Sequence, residues 1–268
     1  MPPYAFPGDL IDALRAGDVH LFVGSGVSCS AGLPSWDDLI AEMKATILRE
    51  NGTFPRTDLQ SYIDTASHLD IADLFRNTVQ THRYIQFLRG KFRRRAALSQ
   101  LHRALSLIPT RTIFTTNYDK LLEQMVRWRK GEEPSVIIYP QQLGYIGESE
   151  LKIIKIHGDI DHPDSIVLTQ QDYAAYALRH HAFETELHRS INNKTMLFVG
   201  FGLRDHNFDR VWNDARLLFD SGKRQAYALM SDTNAVMRGV WEARGLRILP
   251  VRDHNALPSV LRGLAGVI

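Results

Sequence analysis

Short apolar runs recur along the chain, most of them followed by a stretch of helical spacing: VHLFVG (19–24), RTIFTT (111–116), SVIIYP (135–140), LKIIKIHG (151–158), SIVLT (165–169), TMLFVG (195–200), QAYALM (225–230) and LRILPV (246–251). Runs of this length, bounded by turn residues and alternating with helices, predict parallel strands joined by crossovers and covered on both faces. The pattern therefore predicts an open, doubly wound α/β fold with a mainly parallel sheet. Residues 37–110 interrupt it with helical spacing and little strand signal, in WDDLIAEMKATILRE, LQSYIDTASHLDIADLF and RYIQFLRGKF. They are expected to form a helical insertion within a single domain spanning 1–268.

Composition narrows the function classes. The chain has 268 residues, 44% hydrophobic and 23% charged, enough to bury a substantial core. A net charge of +2 gives little reason to expect a nucleic acid or a membrane surface as partner. The basic clusters KFRRR (91–95) and RWRK (127–130) have no aromatic platform beside them, so solvated helix faces explain them more simply than nucleic-acid contacts. The single cysteine, Cys29, forms no internal disulfide and cannot build a cysteine-rich zinc site. No segment approaches about 18 uninterrupted apolar residues, and the start MPPYAFPGDLIDALRAG lacks the features of a secretory signal, so a cytoplasmic protein is expected.

Candidate chemistry gathers at the ends of the predicted strands, where open α/β sheets bind ligands. VGSGVSCSAGLPSW (23–36) leaves a strand as a small-residue loop with Gly24, Gly26 and Gly32. Such a loop can present backbone N–H groups to a pyrophosphate, or it can be a tight strand-to-helix turn. Its glycine spacing departs from the dehydrogenase fingerprint, which disfavours hydride transfer. TIFTTNYDKLLE (112–123) places Thr115, Thr116, Asn117 and Asp119 after a strand, to orient a ribose and water or to cap the following helix. In KIIKIHGDID (152–161), His157 ends a strand and has the chemistry of a general base near neutrality. LFVGFGLRDHNF (197–208) adds Gly200, Gly202 and Asp205, a ligand loop or a capped turn. LMSDTNA (229–235) and VRDHNA (251–256), with Asn234 and Asp253, are compatible with contacts to an adenosine. His180, His181 and His188 have no carboxylate at metal-binding helix spacing, and no metal is expected.

Taken together, four ordered motifs resemble the sirtuin family: Gly24-x-Gly26-x-Ser28 continuing to Gly32-x-Pro34, then Asn117-x-Asp119, then His157-Gly158, then Gly200-x-Gly202. The resemblance covers about 19–256 and implies a Rossmann-like domain that binds NAD and cleaves its nicotinamide–ribose bond. It implies that the 24–34 loop, with Ser25, encloses the pyrophosphate and nicotinamide ribose. It makes Asn117 and His157 the catalytic pair, with His157 the base, and puts Gly200 and Gly202 on the adenosine side. Trp36, Thr116, Asp119, Asp205, Asn234 and Asp253 complete the expected NAD contacts.

The departures from the deacylase pattern are specific. Four zinc-binding cysteines are missing, Ser35-Trp36 stands where Phe-Arg is usual, and Thr116 replaces the usual Gln. GLPSW, TTNYD, KIHGD and FVGFGLRD are instead similar to the sirtuin-like NAD hydrolases of bacterial antiphage defence. That resemblance implies release of nicotinamide and ADP-ribose, or a cyclic form, and antiphage defence by NAD depletion, a form of abortive infection. It also implies a homo-oligomer, or a complex with a separately encoded ATPase or other defence protein. A non-hydrolysing NAD or ADP-ribose sensor, an ADP-ribosyltransferase and a deacylase are the alternatives. A sensor would need the glycine loops but not His157.

Overall fold

A computed structural model describes residues 4–93, 96–145, 147, 150–203, 205–218, 225–231 and 234–268. Seven strands form one sheet: β1 (Val19–Val23), β2 (Thr112–Thr115), β3 (Ser135–Ile137), β4 (Lys152–Lys155), β5 (Thr195–Val199), β6 (Ala226–Met230) and β7 (Leu246–Pro250). Their order is β3-β4-β2-β1-β5-β6-β7, and every pairing is parallel. The chain builds outward from β1 on one side, then returns at β5 to build the other. The β1–β5 boundary is thus the switch point beyond which a crevice opens.

Alternation along the strands assigns the two faces. Val19, Leu21 and Val23 of β1 pack with Ile113, Ile153, Leu197 and Leu229 beneath α1 (Gly8–Arg15), α7 (Gln100–Leu105), α8 (Leu121–Lys130) and α13 (Leu257–Ala265). Phe22, Phe114, Ile154, Phe198 and Ile248 face the opposite way, under α10 (His181–Asn193), α11 (His206–Leu218) and α12 (Ala235–Ala243). The expected doubly wound Rossmann-like fold is therefore present, with β1 and β5 buried along their whole lengths.

A third apolar cluster belongs to α3 (Trp36–Glu50), α4 (Arg56–Thr65), α5 (His68–Thr78) and α6 (Thr81–Phe92). Its inner face includes Tyr118, from the loop after β2, and Ile160, Ile166 and Leu168, from the segment after β4. These helices consequently stand over the carboxyl ends of the strands. Serine starts two of them: Ser35 and Ser67 each form a capping box with an aspartate three residues on, Asp38 and Asp70.

One expected strand is absent. In SIVLT (165–169), Ser165 ends a 3₁₀ turn and the residues after it pair with no strand: the Val167 N–H donates to the His157 carbonyl at 3.0 Å, and the Leu168 N–H donates to the Asp172 carboxylate at 3.2 Å. Ile166 and Leu168 pack into the helical cluster, so burial alone explains a run that reads as a buried strand. Thr169 then caps α9 (Gln170–Arg179). SVIIYP is a strand only over Ser135–Ile137 before a 3₁₀ turn at Pro140–Tyr145. Of the cluster KFRRR, Arg94 and Arg95 lie outside the described residues. Among the described residues, no helix is long and apolar enough to cross a membrane.

Candidate active site

Two glycine loops form the floor at the switch point. The Gly24 N–H donates to the Val199 carbonyl at 3.0 Å and the Gly26 N–H to the Gly200 carbonyl at 2.9 Å. A Cβ at Gly24 would sit 2.5 Å from the Gly200 carbonyl oxygen. One at Gly200, where φ is +63°, would sit 2.7 Å from the Val27 nitrogen. The sequence left a ligand loop and a tight turn both open here, and in the structure these glycines approach each other's backbone. Gly24, Gly26 and Gly200 support the site from beneath and do not line it. Gly32 likewise does not line it; at φ +82° it turns the chain after α2 (Ser25–Cys29) so that Pro34 and Trp36 do.

Above this floor lies a cavity of about 530 Å³, within the range of small-molecule sites. The structure brings Ser25, Ser28, Pro34, Trp36, Thr116, Asn117, Asp119, His157, Gly202 and Asp205 to its wall. Asn234 and Asp253 are not among its lining residues. Each caps a helical turn: Asn234 Oδ1 accepts the Met237 N–H at 2.8 Å, and Asp253 Oδ1 accepts the Ala256 N–H at 2.9 Å. A capping residue and a ligand contact share the same Asx chemistry, which is why sequence alone did not separate them.

Asn117 is held rigidly. Its N–H donates to Thr115 Oγ1 at 3.0 Å, and its Nδ2 donates to the Gly24 carbonyl at 3.0 Å and to Ser28 Oγ at 2.9 Å. Ser28 in turn donates to Asp119 Oδ2 at 2.7 Å, while Asp119 Oδ1 accepts the Leu121 N–H at 2.9 Å. With both amide protons engaged, Asn117 Oδ1 is left buried with no hydrogen-bond partner. An orphaned buried acceptor is costly in a stable fold and is a common mark of a site awaiting its ligand.

His157 is 3% exposed, and burial pushes its pKa below the usual imidazole value despite an opposing pull from Asp205. The ring is therefore neutral near pH 7 and able to accept a proton. Its Nε2 lies 3.5 Å from Asp205 Oδ2, close enough for electrostatic attraction, yet makes no hydrogen bond. Tyr173 and Tyr176 of α9 meet the ring edge-to-face at 5.4 and 6.0 Å.

Several wall residues escaped the sequence reading. Tyr173, Gln170 and Phe201 line the cavity, and the helical cluster contributes Ser67, His68, Leu69 and Phe92. Trp36 and His68 meet edge-to-face at 6.1 Å, and His68 Nε2 lies 3.6 Å from Asp37 Oδ1. Beneath the wall, Lys155 Nζ donates to the carbonyls of Tyr118 (3.2 Å) and Asp119 (2.5 Å) and to the carboxylates of Glu123 (3.2 Å) and Asp159 (2.6 Å). A lysine inside an apolar strand was the available signal for that network. Among the described residues, no cluster of three or more His, Cys, Asp or Glu could hold a metal ion.

A parallel sheet with joined glycine loops at its switch point, and a cavity beyond the strand ends, defines an α/β domain of the nucleotide-binding type. The chain belongs to the SIR2-like domain family, which matches residues 111–249. It is 31% identical over 226 residues to the NAD(+) hydrolase ThsA of Enterococcus faecium, covering 82% of this chain and 44% of that protein. It is 29% identical over 231 residues to the NAD(+) hydrolase ThsA of Bacillus cereus (strain MSX-D12), covering 84% and 45%. The Defense-associated sirtuin 2 of Bacillus subtilis is 24% identical over 247 residues, covering 90% and 24%. The chain thus spans under half the length of these curated relatives.

Proposed function

We propose that the chain is an NAD glycohydrolase domain that cleaves the nicotinamide–ribose bond and passes the ribose to water, as an effector of antiphage defence. The observation that carries this reading is the pairing of Asn117 and His157. Both are buried on the wall of one cavity, Asn117 Oδ1 has no hydrogen-bond partner, and burial lowers the His157 pKa so that its ring is a neutral proton acceptor. The names of the relatives, NAD(+) hydrolase and Defense-associated sirtuin, support the substrate, the acceptor and the biological setting.

In this mechanism the glycosidic electron pair leaves with the nicotinamide nitrogen, which becomes neutral, and positive charge develops at C1′ of the ribose. Asn117 Oδ1 accepts a hydrogen bond from a ribose hydroxyl or from the attacking water. His157 takes the proton of that water as its oxygen bonds to C1′, giving ADP-ribose. The carboxylate of Asp119, also on the wall, favours the developing positive charge. The products are nicotinamide, ADP-ribose and one proton.

Of the helices between 37 and 110, α3 to α6 serve in this reading as an insertion that closes the far wall of the cavity, while α7 packs on the sheet. A homo-oligomer in the cytoplasm, restrained by a separately encoded defence protein until infection, fits an enzyme that would otherwise exhaust its own cell. The test is chromatographic: wild type incubated with NAD should release nicotinamide and ADP-ribose, and Asn117→Ala and His157→Ala should each lower the rate by at least about 100-fold. Tight NAD binding without release would favour a sensor, and a modified macromolecule would favour transfer.

A further inference from the structure

Asp205 and Tyr173 stand beside His157 in an arrangement that the NAD-cleaving reading does not itself require. Tyr173 Oη donates to Asp205 Oδ2 at 2.6 Å, and that same oxygen lies 3.5 Å from His157 Nε2. The other oxygen, Oδ1, accepts the Phe208 N–H at 2.8 Å in the first turn of α11. The carboxylate is therefore held from two sides, with its remaining capacity directed at one nitrogen of the imidazole. All three side chains line the cavity.

We propose that Asp205 and Tyr173 are positioning residues that fix the tautomer of His157, with the proton on Nε2, so that Nδ1 is the atom that accepts the proton of the attacking water. A carboxylate opposite Nε2 favours the Nε2–H tautomer and leaves the lone pair on Nδ1. It also stabilises the imidazolium formed once Nδ1 takes its proton, as a buried aspartate does for the histidine of hydrolytic triads. The Nε2–Oδ2 separation is slightly long, as catalytic hydrogen bonds often are before substrate arrives. Tyr173 orients the carboxylate by donating to its Oδ2. Burial holds the Tyr173 hydroxyl protonated, so it remains a donor.

Among the described residues, the titratable groups around the ring come from three places. Asp205 follows β5, Tyr173, Tyr176 and His180 belong to α9 and its end, and Asp119 shares the cavity wall from the loop after β2. Lys155 and Asp159, two residues to either side of His157, are bonded to each other at 2.6 Å. Asp205 is thus the carboxylate placed to select between the two ring nitrogens.

Asp205→Asn makes a sharp test because the residue keeps its shape. Its Oδ1 can still accept the Phe208 N–H, which turns Nδ2 toward His157 Nε2. That nitrogen must then be the acceptor, and the tautomer inverts to Nδ1–H. The probe is a long-range ¹H–¹⁵N spectrum of the whole ¹⁵N-histidine-labelled chain, with the His157 signals assigned by their loss in His157→Gln. The expected result is an Nε2–H tautomer in wild type and in Tyr173→Phe, and Nδ1–H in Asp205→Asn. An Nδ1–H wild type, or a tautomer unmoved by Asp205→Asn, overturns the proposal.

The kinetic arm rests on the NAD-cleaving reading, whereas the spectrum needs no turnover, so the failures of the two are distinguishable. Asp205→Asn should lower kcat by at least about 100-fold with KM nearly unchanged. Tyr173→Phe should move the acid limb of kcat/KM to higher pH, because a carboxylate without its tyrosine donor holds the imidazolium more strongly. A rise in KM at unchanged kcat in Asp205→Asn, or an acid limb moved to lower pH in Tyr173→Phe, would contradict the positioning role.

Discussion

Lys155→Met removes the cation on which the loop bearing Asn117 rests. Lys155 is 1% exposed, Asp159 0% and Glu123 4%, so the charges are almost wholly out of water. The substitution strips donors from the carbonyls of Tyr118 and Asp119 and from Glu123 Oε1. Glu123 Oε2 already lacks a partner. Asp159 is better protected, since its Oδ2 keeps Lys120 Nζ at 2.7 Å and its Oδ1 keeps the Asp161 N–H at 2.9 Å. Breaking a buried pair from one side typically costs about 3–5 kcal/mol, and Lys120 places this case near the lower end, at about 3 kcal/mol. Urea unfolding followed by circular dichroism measures it. The double variant Lys155→Met/Glu123→Gln, which removes the stranded charge, should recover roughly half of that loss. A loss under about 1 kcal/mol, or a double variant no more stable than the single one, would refute the reasoning.

Two further outcomes follow from the same structure. Gly200→Ala drives a Cβ into the Val27 nitrogen at a backbone of φ +63° and should destabilise the fold by about 2–4 kcal/mol, combining overpacking with left-handed strain, as read by thermal unfolding. His20 and His102 are each pushed down to about 4, chiefly by burial. Both stay neutral in the fold while the unfolded chain protonates them from about pH 6.5 downward. The unfolded state therefore binds more protons in that window, and stability falls as pH drops from about 6.5 to 4. Unfolding free energies measured across that range should show the slope, and His102→Asn should flatten it.

The sheet was legible because each strand carries its own signal of a short apolar run closed by a turn. The exception, SIVLT, shows where that signal fails: Ile166 and Leu168 are buried by helices standing over the sheet, and periodicity does not report which neighbour does the burying. At the site, Asn117, Asp119 and His157 were readable because each follows a strand end directly. Tyr173, Phe92 and His68 reach the cavity from helices or their ends, by tertiary packing that no local spacing encodes. Glycine spacing marked the loop, and the structure shows that Gly24 and Gly200 make room for each other. Asn234 and Asp253 read as ligand contacts, whereas the structure gives them caps.

In the proposed reaction this cavity joins water to the ribose of NAD. Incubating the wild-type chain with NAD in ¹⁸O-labelled water, with products resolved by mass spectrometry, tests it directly. The expected result is nicotinamide and ADP-ribose in equal amounts, with one ¹⁸O on the ribose C1′ hydroxyl and formation abolished by His157→Ala. Absence of nicotinamide release, or release with no ¹⁸O in the ADP-ribose product, would contradict it.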